Sequence, residues 1–272
     1  MTSKEGFRGR VAVITGGASG IGLALGEALA REGCKLVLAD VEREPLRAAQ
    51  AKLIALGAEV LSVPTDVANR DDMLHLAEAT WTRFGAAHLI FHNAGVMVFG
   101  PTQAMTQADW LFNINVNLWG PIHGVEAFAS RMVAQGEGGH HVFTASFAGI
   151  VPNMNFGPYN VAKAGVVALA ESLRKDLRGT GIGVSVLCPM IVNTNIEKST
   201  RNRPAELGGP ITLEITEEHK AHYGRVLTPE AVADLVLEGI GSNRLYIHTH
   251  VEAKEMFQAR ADRILSAFEY AL

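Results

Sequence analysis

Residues 10 to 15, RVAVIT, form a short apolar, β-branched run that breaks at once into Thr15-Gly16-Gly17-Ala18-Ser19-Gly20-Ile21-Gly22, and the amphipathic run LALGEALAREG comes next, closed by Gly33. A strand, a glycine turn and a helix N-terminus in that order make a seat for a pyrophosphate. The helix dipole and its free N–H groups attract the anion, and glycines let the backbone come close. The spacing is G-x-x-x-G-x-G rather than G-x-G-x-x-G, so the turn takes its meaning from the rest of the chain; alone it also suits a plain tight βα turn.

Beyond Gly33 the strand–helix unit repeats. CKLVLAD reads as a second strand ending in Asp40, VEREPLRAAQAKLIALG as a helix, and AEVLSVPTDV as a third strand ending at Asp66-Val67. Asp66 could meet an adenine amino group, or N-cap the next helix, NRDDMLHLAEATWTRFG, and the two roles can coexist. AHLIFHNAG is a fourth strand running into Asn93-Ala94-Gly95, and residues 106 to 135 read as one long helix. GGHHVFTAS and GIGVSVLC are the fifth and sixth strands. TPEAVADLVLEGI, capped by Thr228, then RLYIHTH and VEAKEMFQARADRILSAFEYAL complete the series as helix, seventh strand and C-terminal helix. Such alternation predicts an α/β, doubly wound, Rossmann-like three-layer sandwich with a central, mostly parallel seven-stranded sheet. We expect one domain over residues 1–272, a lid at about 195–225 where the chain is polar and irregular, and a C-terminal helix at about 252–272.

The composition agrees. At 272 residues, 48% hydrophobic and 19% charged, the chain can bury a large core. Its net charge of −4 with scattered basic residues gives no nucleic-acid footprint. MTSKEGFRGR has no apolar signal region and no run reaches membrane-spanning length, so a soluble cytoplasmic protein without membrane partners is expected. Cys34 and Cys188 sit in apolar runs and read as core thiols. Adjacent His140 and His141 in a strand point to opposite faces, and the other histidines lack zinc spacing, so no catalytic metal is expected.

Chemistry is concentrated between residues 146 and 163, SFAGIVPNMNFGPYNVAK. Ser146 lies thirteen residues before Tyr159, and Lys163 lies four after it on the same face of a helix-like run. An ammonium beside a phenol favours the phenolate, so the spacing predicts a Tyr159 pKa lowered from about 10. Such a phenol can serve as acid or base on an alcohol or carbonyl oxygen, with the Ser146 hydroxyl holding the same atom. A surface tyrosine capped by a lysine is the plainer alternative. Asp40 could accept both ribose hydroxyls of an adenosine and repel a 2′-phosphate. Ser19 stands where a basic phosphate-reading side chain would be placed, and Arg43 reads as a solvated helix charge, so NAD is favoured over NADP.

The ordered set TGGASGIG, Asp40, Asp66-Val67, NAG, Ser146, YNVAK and CPMIVNT resembles the short-chain dehydrogenase/reductase family over roughly residues 8 to 250. The resemblance implies an NAD(H)-dependent oxidoreductase interconverting a secondary alcohol and a ketone. It implies a catalytic set of Asn117, Ser146, Tyr159 and Lys163. In that set Lys163 also grips the nicotinamide ribose, and Asn117, in VNLWG, holds a water of the proton relay. It places the cofactor against Gly16, Ser19, Gly20, Ile21, Asp40, Asp66, Val67, Asn93, Ala94 and Gly95. Tyr159, Lys163, Val192 and Thr194 complete those contacts. Asn113 and Asn115 read as structural, and Trp110 and Trp119 as packing or interface residues. Met190 departs from the family's usual glycine.

Substrate walls are expected from Val96 to Phe99, Phe147, Val151 to Phe156, Met190, Ile191 and the lid. They are mostly apolar, which favours a medium or bulky apolar alcohol or ketone; Arg201 and Arg203 in the lid would argue for an acidic one. Family analogy implies a homodimer or homotetramer through the helices at 106–135 and 159–178, the second rich in small residues (Ala162, Ala164, Val167, Ala168). Alternatives are a physiological carbonyl reductase, or a protein that senses NAD(H) or scaffolds a complex without turnover.

Overall fold

The structure, a computed structural model, describes residues 6 to 213 and 225 to 270. Its seven strands are β1 Val11–Thr15, β2 Lys35–Asp40, β3 Val60–Pro64, β4 Leu89–His92, β5 Gly139–Thr144, β6 Ile182–Cys188 and β7 Tyr246–His248. They form one sheet in the order β3-β2-β1-β4-β5-β6-β7, and every pairing is parallel. The helices are α1 Gly20–Arg31, α2 Arg43–Ala55, α3 Arg70–Phe84, α4 Gln107–Ile114, α5 Gly120–Gln135, α6 Gly157–Asp176, α7 Pro229–Gly241 and α8 Ala253–Ser266.

Parallel strands need crossovers, and each crossover lays a helix on one face of the sheet, so both faces must be apolar. β1 shows the division. Ala12 and Ile14 enter a core with Leu25 and Leu29 of α1 and Val236 and Ile240 of α7. Val11 and Val13 point the other way, into a core with Leu76 of α3, Phe128 and Met132 of α5, and Val166 and Ala170 of α6. Register keeps neighbours in step: Val13 lies beside Val37 and Ile90, both in the second core. Ala162 is also wholly buried, while Ala164 and Ala168 face outward. Strand order reverses between β1 and β4, which opens a crevice beyond their carboxyl ends.

Two local readings are corrected. Residues 106 to 135 are not one regular helix: α4, capped by a Thr106–Asp109 capping box, gives way to a π-helical turn, Asn115–Trp119, before α5 begins. Pro121 has no N–H, so the Asn117 carbonyl lacks its α-helical donor and the ladder must slip there. The N-cap of α3 is Asn69, whose Oδ1 accepts from the N–H groups of Asp71 and Asp72, and not Asp66. Asp66 instead turns its Oδ1 to the Ala68 N–H at 2.9 Å. Thr228 caps α7 as expected, accepting from the Ala231 N–H.

His140 and His141 face opposite ways. His140 Nε2 meets Ser185 Oγ at 2.8 Å, and His141 Nδ1 meets His92 Nε2 at 3.1 Å. Burial pushes these imidazoles down to about 3 and about 4, so both are neutral. Cys34 and Cys188 are buried free thiols. Among the described residues no helix is long and apolar enough to cross a membrane, and no three His, Cys, Asp or Glu side chains gather as metal ligands.

Phe128 is fully buried, with its ring 5.7 Å from that of Trp81, and it joins α5 to the sheet. Phe128→Ala is expected to lower unfolding stability by roughly 3–5 kcal/mol in urea titration at fixed protein concentration, through lost transfer energy and the cavity left behind.

Candidate active site

The crevice between β1 and β4 widens into a cavity of about 370 Å³. Of the catalytic and cofactor-binding residues nominated from sequence, all but Asn117 line it.

One half is built from backbone. Gly16 has φ +65°, and a Cβ there would lie 2.9 Å from the Ala94 Cα. Gly22 is held to glycine by the Gly16 carbonyl oxygen, which a Cβ would meet at 2.1 Å. Ser19 is the N-cap of α1 but makes no side-chain capping bond, so the first-turn N–H groups are left for another acceptor. Thr194 closes this end, since a Cβ on Gly20 would touch its methyl at 3.2 Å. Asp40, last in β2, accepts from the Ala18 N–H at 3.1 Å through Oδ2 and from the Glu42 N–H at 3.0 Å through Oδ1. Burial nonetheless holds its pKa above the ordinary carboxylate value, against those two bonds. Val67 packs on Gly120 of the VNLWG segment, where a Cβ would come within 2.8 Å of its Cγ2. A backbone cradle at a helix N-terminus, with a carboxylate at the end of β2, fits a dinucleotide's pyrophosphate and adenosine ribose.

The other half holds the ionisable groups. Ser146, just past β5, accepts from the Ala148 N–H at 3.1 Å. Tyr159 and Lys163 project from the first turns of α6, with Lys163 Nζ 5.5 Å from the Tyr159 ring centroid. The ammonium donates to the Thr144 carbonyl at 2.8 Å. The sequence-based expectation for the phenol is overturned. Burial pushes Tyr159 up to about 12, against a hydrogen bond with Ser146 that pulls it down. Burial also lowers Lys163 to about 8, against the pull of the nearby Cys188 sulfur. The cause is the depth of the site: desolvation acts on both groups and outweighs the other influences on each.

Asn117 lies one layer behind the wall and is fully buried. Its Oδ1 accepts from the Val96 N–H at 3.1 Å, and its Nδ2 donates to the Val96 carbonyl at 2.8 Å and to Asn113 Oδ1 at 2.9 Å. The side chain is therefore spent on holding the strand-end loop. Gly95 lies between it and the lysine: a Cβ there would be 3.0 Å from Asn117 Oδ1 and 3.5 Å from Lys163 Nζ. Asn115, read as structural, faces the cavity.

The substrate end is apolar, formed by Met97, Phe112, Phe147, Phe156, Met190, Ile191 and Leu207. Six expected wall residues, Val98, Phe99, Val151, Pro152, Met154 and Asn155, are not among those lining the cavity. Val98 packs with Phe112 in a small core, Phe99 stands edge-on to Phe156 at 5.0 Å, and Met154 is 81% exposed. Asn153 reaches the cavity; Asn155 does not, and holds a left-handed φ of 66°. Met190 keeps negative φ, so its side chain fits where the family has glycine without backbone strain. The Met190 N–H donates to Thr249 Oγ1 at 3.4 Å.

Sequence reasoning missed how the described part of the 195–225 segment is tied down. Residues 196–202 and 205–207 form 3₁₀ turns, and residues 214–224 of the expected lid lie outside the described residues. Ser199 Oγ accepts from the Met97 N–H at 2.9 Å. Arg203, almost fully buried, pairs with Asp109 at 2.6 Å, and Arg201 reaches across the cavity mouth to Glu42 through two bonds of 2.8 and 2.5 Å. Both arginines are thus committed to carboxylates of the chain itself. Their partners lie 94 and 159 residues away, so no local pattern could show them.

Known proteins match both the sequence and the fold. A family model described as short chain dehydrogenase matches residues 10–205. The C alpha-dehydrogenase of Sphingobium sp. is 36% identical over 96% of this chain and 87% of that protein. The 1-deoxy-11-beta-hydroxypentalenate dehydrogenase of Streptomyces exfoliatus is 34% identical over 94% of this chain and 88% of that protein. A crystal structure of a short chain dehydrogenase/reductase from Burkholderia phymatum in complex with NAD superposes with a TM-score of 0.90, at 39% identity and 96% coverage of both chains.

The buried lysine carries a pH signature. Lys163 titrates near 8 when folded and near 10.5 when unfolded, so the folded state binds its proton less tightly. The resulting penalty is full below pH 8 and fades as pH rises through that window. The stability of the wild type relative to Lys163→Met should therefore increase by roughly 3 kcal/mol between about pH 7.5 and 10.5, read by urea unfolding. A flat difference would show that the ammonium is not desolvated.

Proposed function

The chain belongs to the short-chain dehydrogenase family, and from that premise we propose that it interconverts a secondary alcohol and a ketone with NAD(H), acting on a medium or bulky apolar substrate. The observation that carries this reading is the meeting of the Ser146 hydroxyl, the Tyr159 phenol and the Lys163 ammonium at one wall of a cavity whose other end is the glycine cradle and Asp40. A nicotinamide bound there supplies the hydride acceptor or donor. The chain's residues do the rest. Ser146 holds the reacting oxygen, and Tyr159 exchanges a proton with it. A phenol near 12 keeps its proton at neutral pH, ready to give to a carbonyl oxygen. In the oxidative direction it accepts the alcohol proton as phenolate, a form that the Ser146 bond and the adjacent ammonium favour. Lys163 also offers its charge to the nicotinamide ribose. Asn117 acts by position: it fixes Val96 and Gly95 against Lys163, and its carbonyl, freed by Pro121, is the group that can hold a relay water.

NAD is favoured over NADP because two carboxylates, Asp40 and Glu42, sit at the end of β2 and the nearby Arg201 is already paired. The Burkholderia relative carrying NAD supports the same choice. The substrate class rests on the Phe and Met lining and on the pairing of both lid arginines, which leaves neither of them free for an acidic substrate. The hydroxylated substrate in the Streptomyces enzyme's name agrees with an alcohol. Leu111, Trp119 and Val161, which remain 41–51% exposed on the α4–α6 layer, support a homodimer or homotetramer through it.

The direct test is NADH absorbance with a panel of aliphatic, aromatic and polycyclic secondary alcohols, NAD and NADP run in parallel. Tyr159→Phe should lower kcat by at least about 100-fold while NAD binding stays within a few-fold; unchanged turnover would sink the mechanism. Asp40→Ala should raise the Kd for NAD roughly 10–100-fold, as expected for loss of a charged acceptor, with a smaller effect on NADP.

A further inference from the structure

Between Ser146 and Tyr159 the chain lines the cavity with Phe147, Ala148, Asn153 and Phe156, and only Asn153 is polar. Its backbone is gripped from α6. The Asn153 N–H donates to Asn160 Oδ1 at 3.2 Å, and Asn160 Nδ2 donates to the Asn153 carbonyl at 2.7 Å. Asn160 adjoins Tyr159, so this two-bond clamp sets the place of Asn153 relative to the phenol. The far side of the loop is held as well: the Gly100 N–H donates to the carbonyl of Asn155, the residue with the left-handed φ of 66°. Phe156 comes next, with its ring 6.2 Å from that of Tyr159. The side-chain amide of Asn153 takes no part in this. Both bonds of the clamp use its backbone, and among the described residues its Oδ1 and Nδ2 make no hydrogen bond. A polar group held by a fixed loop in an otherwise apolar wall is how a pocket orients its ligand and selects it.

We propose that Asn153 is a specificity-determining residue that hydrogen-bonds a second, uncharged oxygen of the substrate, remote from the reacting carbon. The inference rests on the secondary-alcohol reading above and narrows it. The substrate is an apolar body with two oxygens, one held by Ser146 and Tyr159 and the other by the Asn153 amide. The amide sets the chemical class: its Nδ2 donates to an ether or carbonyl oxygen, and its Oδ1 accepts from a hydroxyl. An anionic group in the same place would call for a free cation, and both nearby arginines are committed, Arg201 to Glu42 and Arg203 to Asp109. A purely hydrocarbon body pressed against the amide strips its water and returns no bond, so the pocket disfavours it.

The test is kcat/KM for matched α-methylbenzyl alcohols whose ring carries hydroxyl, methoxy or methyl at the ortho, meta or para position, with NAD and NADP run in parallel. Wild type is compared with Asn153→Leu, which nearly keeps the volume and breaks no bond within the chain, so its melting temperature should be unchanged. At the matching ring position an oxygen should raise kcat/KM over the methyl analogue roughly tenfold more in the wild type than in Asn153→Leu, mainly through KM. Comparing that ratio between the two proteins cancels the substituent's own effect on hydride transfer. Asn153→Asp, which once ionised only accepts, should keep the gain for hydroxyl and lose it for methoxy. Equal ratios in wild type and Asn153→Leu at every ring position overturn the proposal, and turnover of the methyl compounds in that case leaves the alcohol reading standing. No turnover of any compound by any of the proteins overturns the proposal together with the reading it rests on.

Discussion

The hydroxyl of Thr15 ties the two halves of the sheet together where their order reverses. It donates to the Phe91 carbonyl at 3.2 Å and accepts from the N–H groups of Asn93 and Ala94 at 2.9 and 3.1 Å, so the ends of β1 and β4 cannot part. From there a chain of bonds crosses the sheet. Asn93 Oδ1 accepts from Thr144 Oγ1 at 3.1 Å, and the Thr144 carbonyl accepts from Lys163 Nζ at 2.8 Å. The position of the lysine on α6 is thereby referred back to the glycine turn after β1. The glycine turn after β1 and the Lys163 ammonium on α6 are therefore two ends of one hydrogen-bond network.

Much of this was legible in the sequence because the governing patterns are local. Apolar runs alternating with amphipathic helices announce a parallel sheet, and a glycine turn between strand and helix announces its ligand side. What failed to show was set by tertiary surroundings. The Tyr159–Lys163 spacing places the two groups correctly but says nothing of how deeply they lie, and depth reversed the expected shift of the phenol. Arg201 and Arg203 looked like free lid charges because their partners, Glu42 and Asp109, come from other crossovers. The π-helical turn was missed for a different reason. Its cause, Pro121, is in plain view, but helical periodicity over α4 and α5 hides a slip of one residue. Cap choice at α3 shows the ordinary blur of boundaries, with Asn69 outcompeting Asp66 three positions away.

The shifts of the two central groups belong together. Burial raises the tyrosine to about 12 and lowers the lysine to about 8, so each resists its charged form when considered singly. Taken as a pair they respond differently. A phenolate formed beside the ammonium would compensate part of the desolvation of both, which couples their protons: the lysine proton is held more firmly whenever the tyrosine proton has left. The ammonium donates to the Thr144 carbonyl, and that bond fixes its place without neutralising it. A charge kept in so dry a place costs stability. The same dryness that makes the resting pair reluctant to ionise strengthens the attraction once it does.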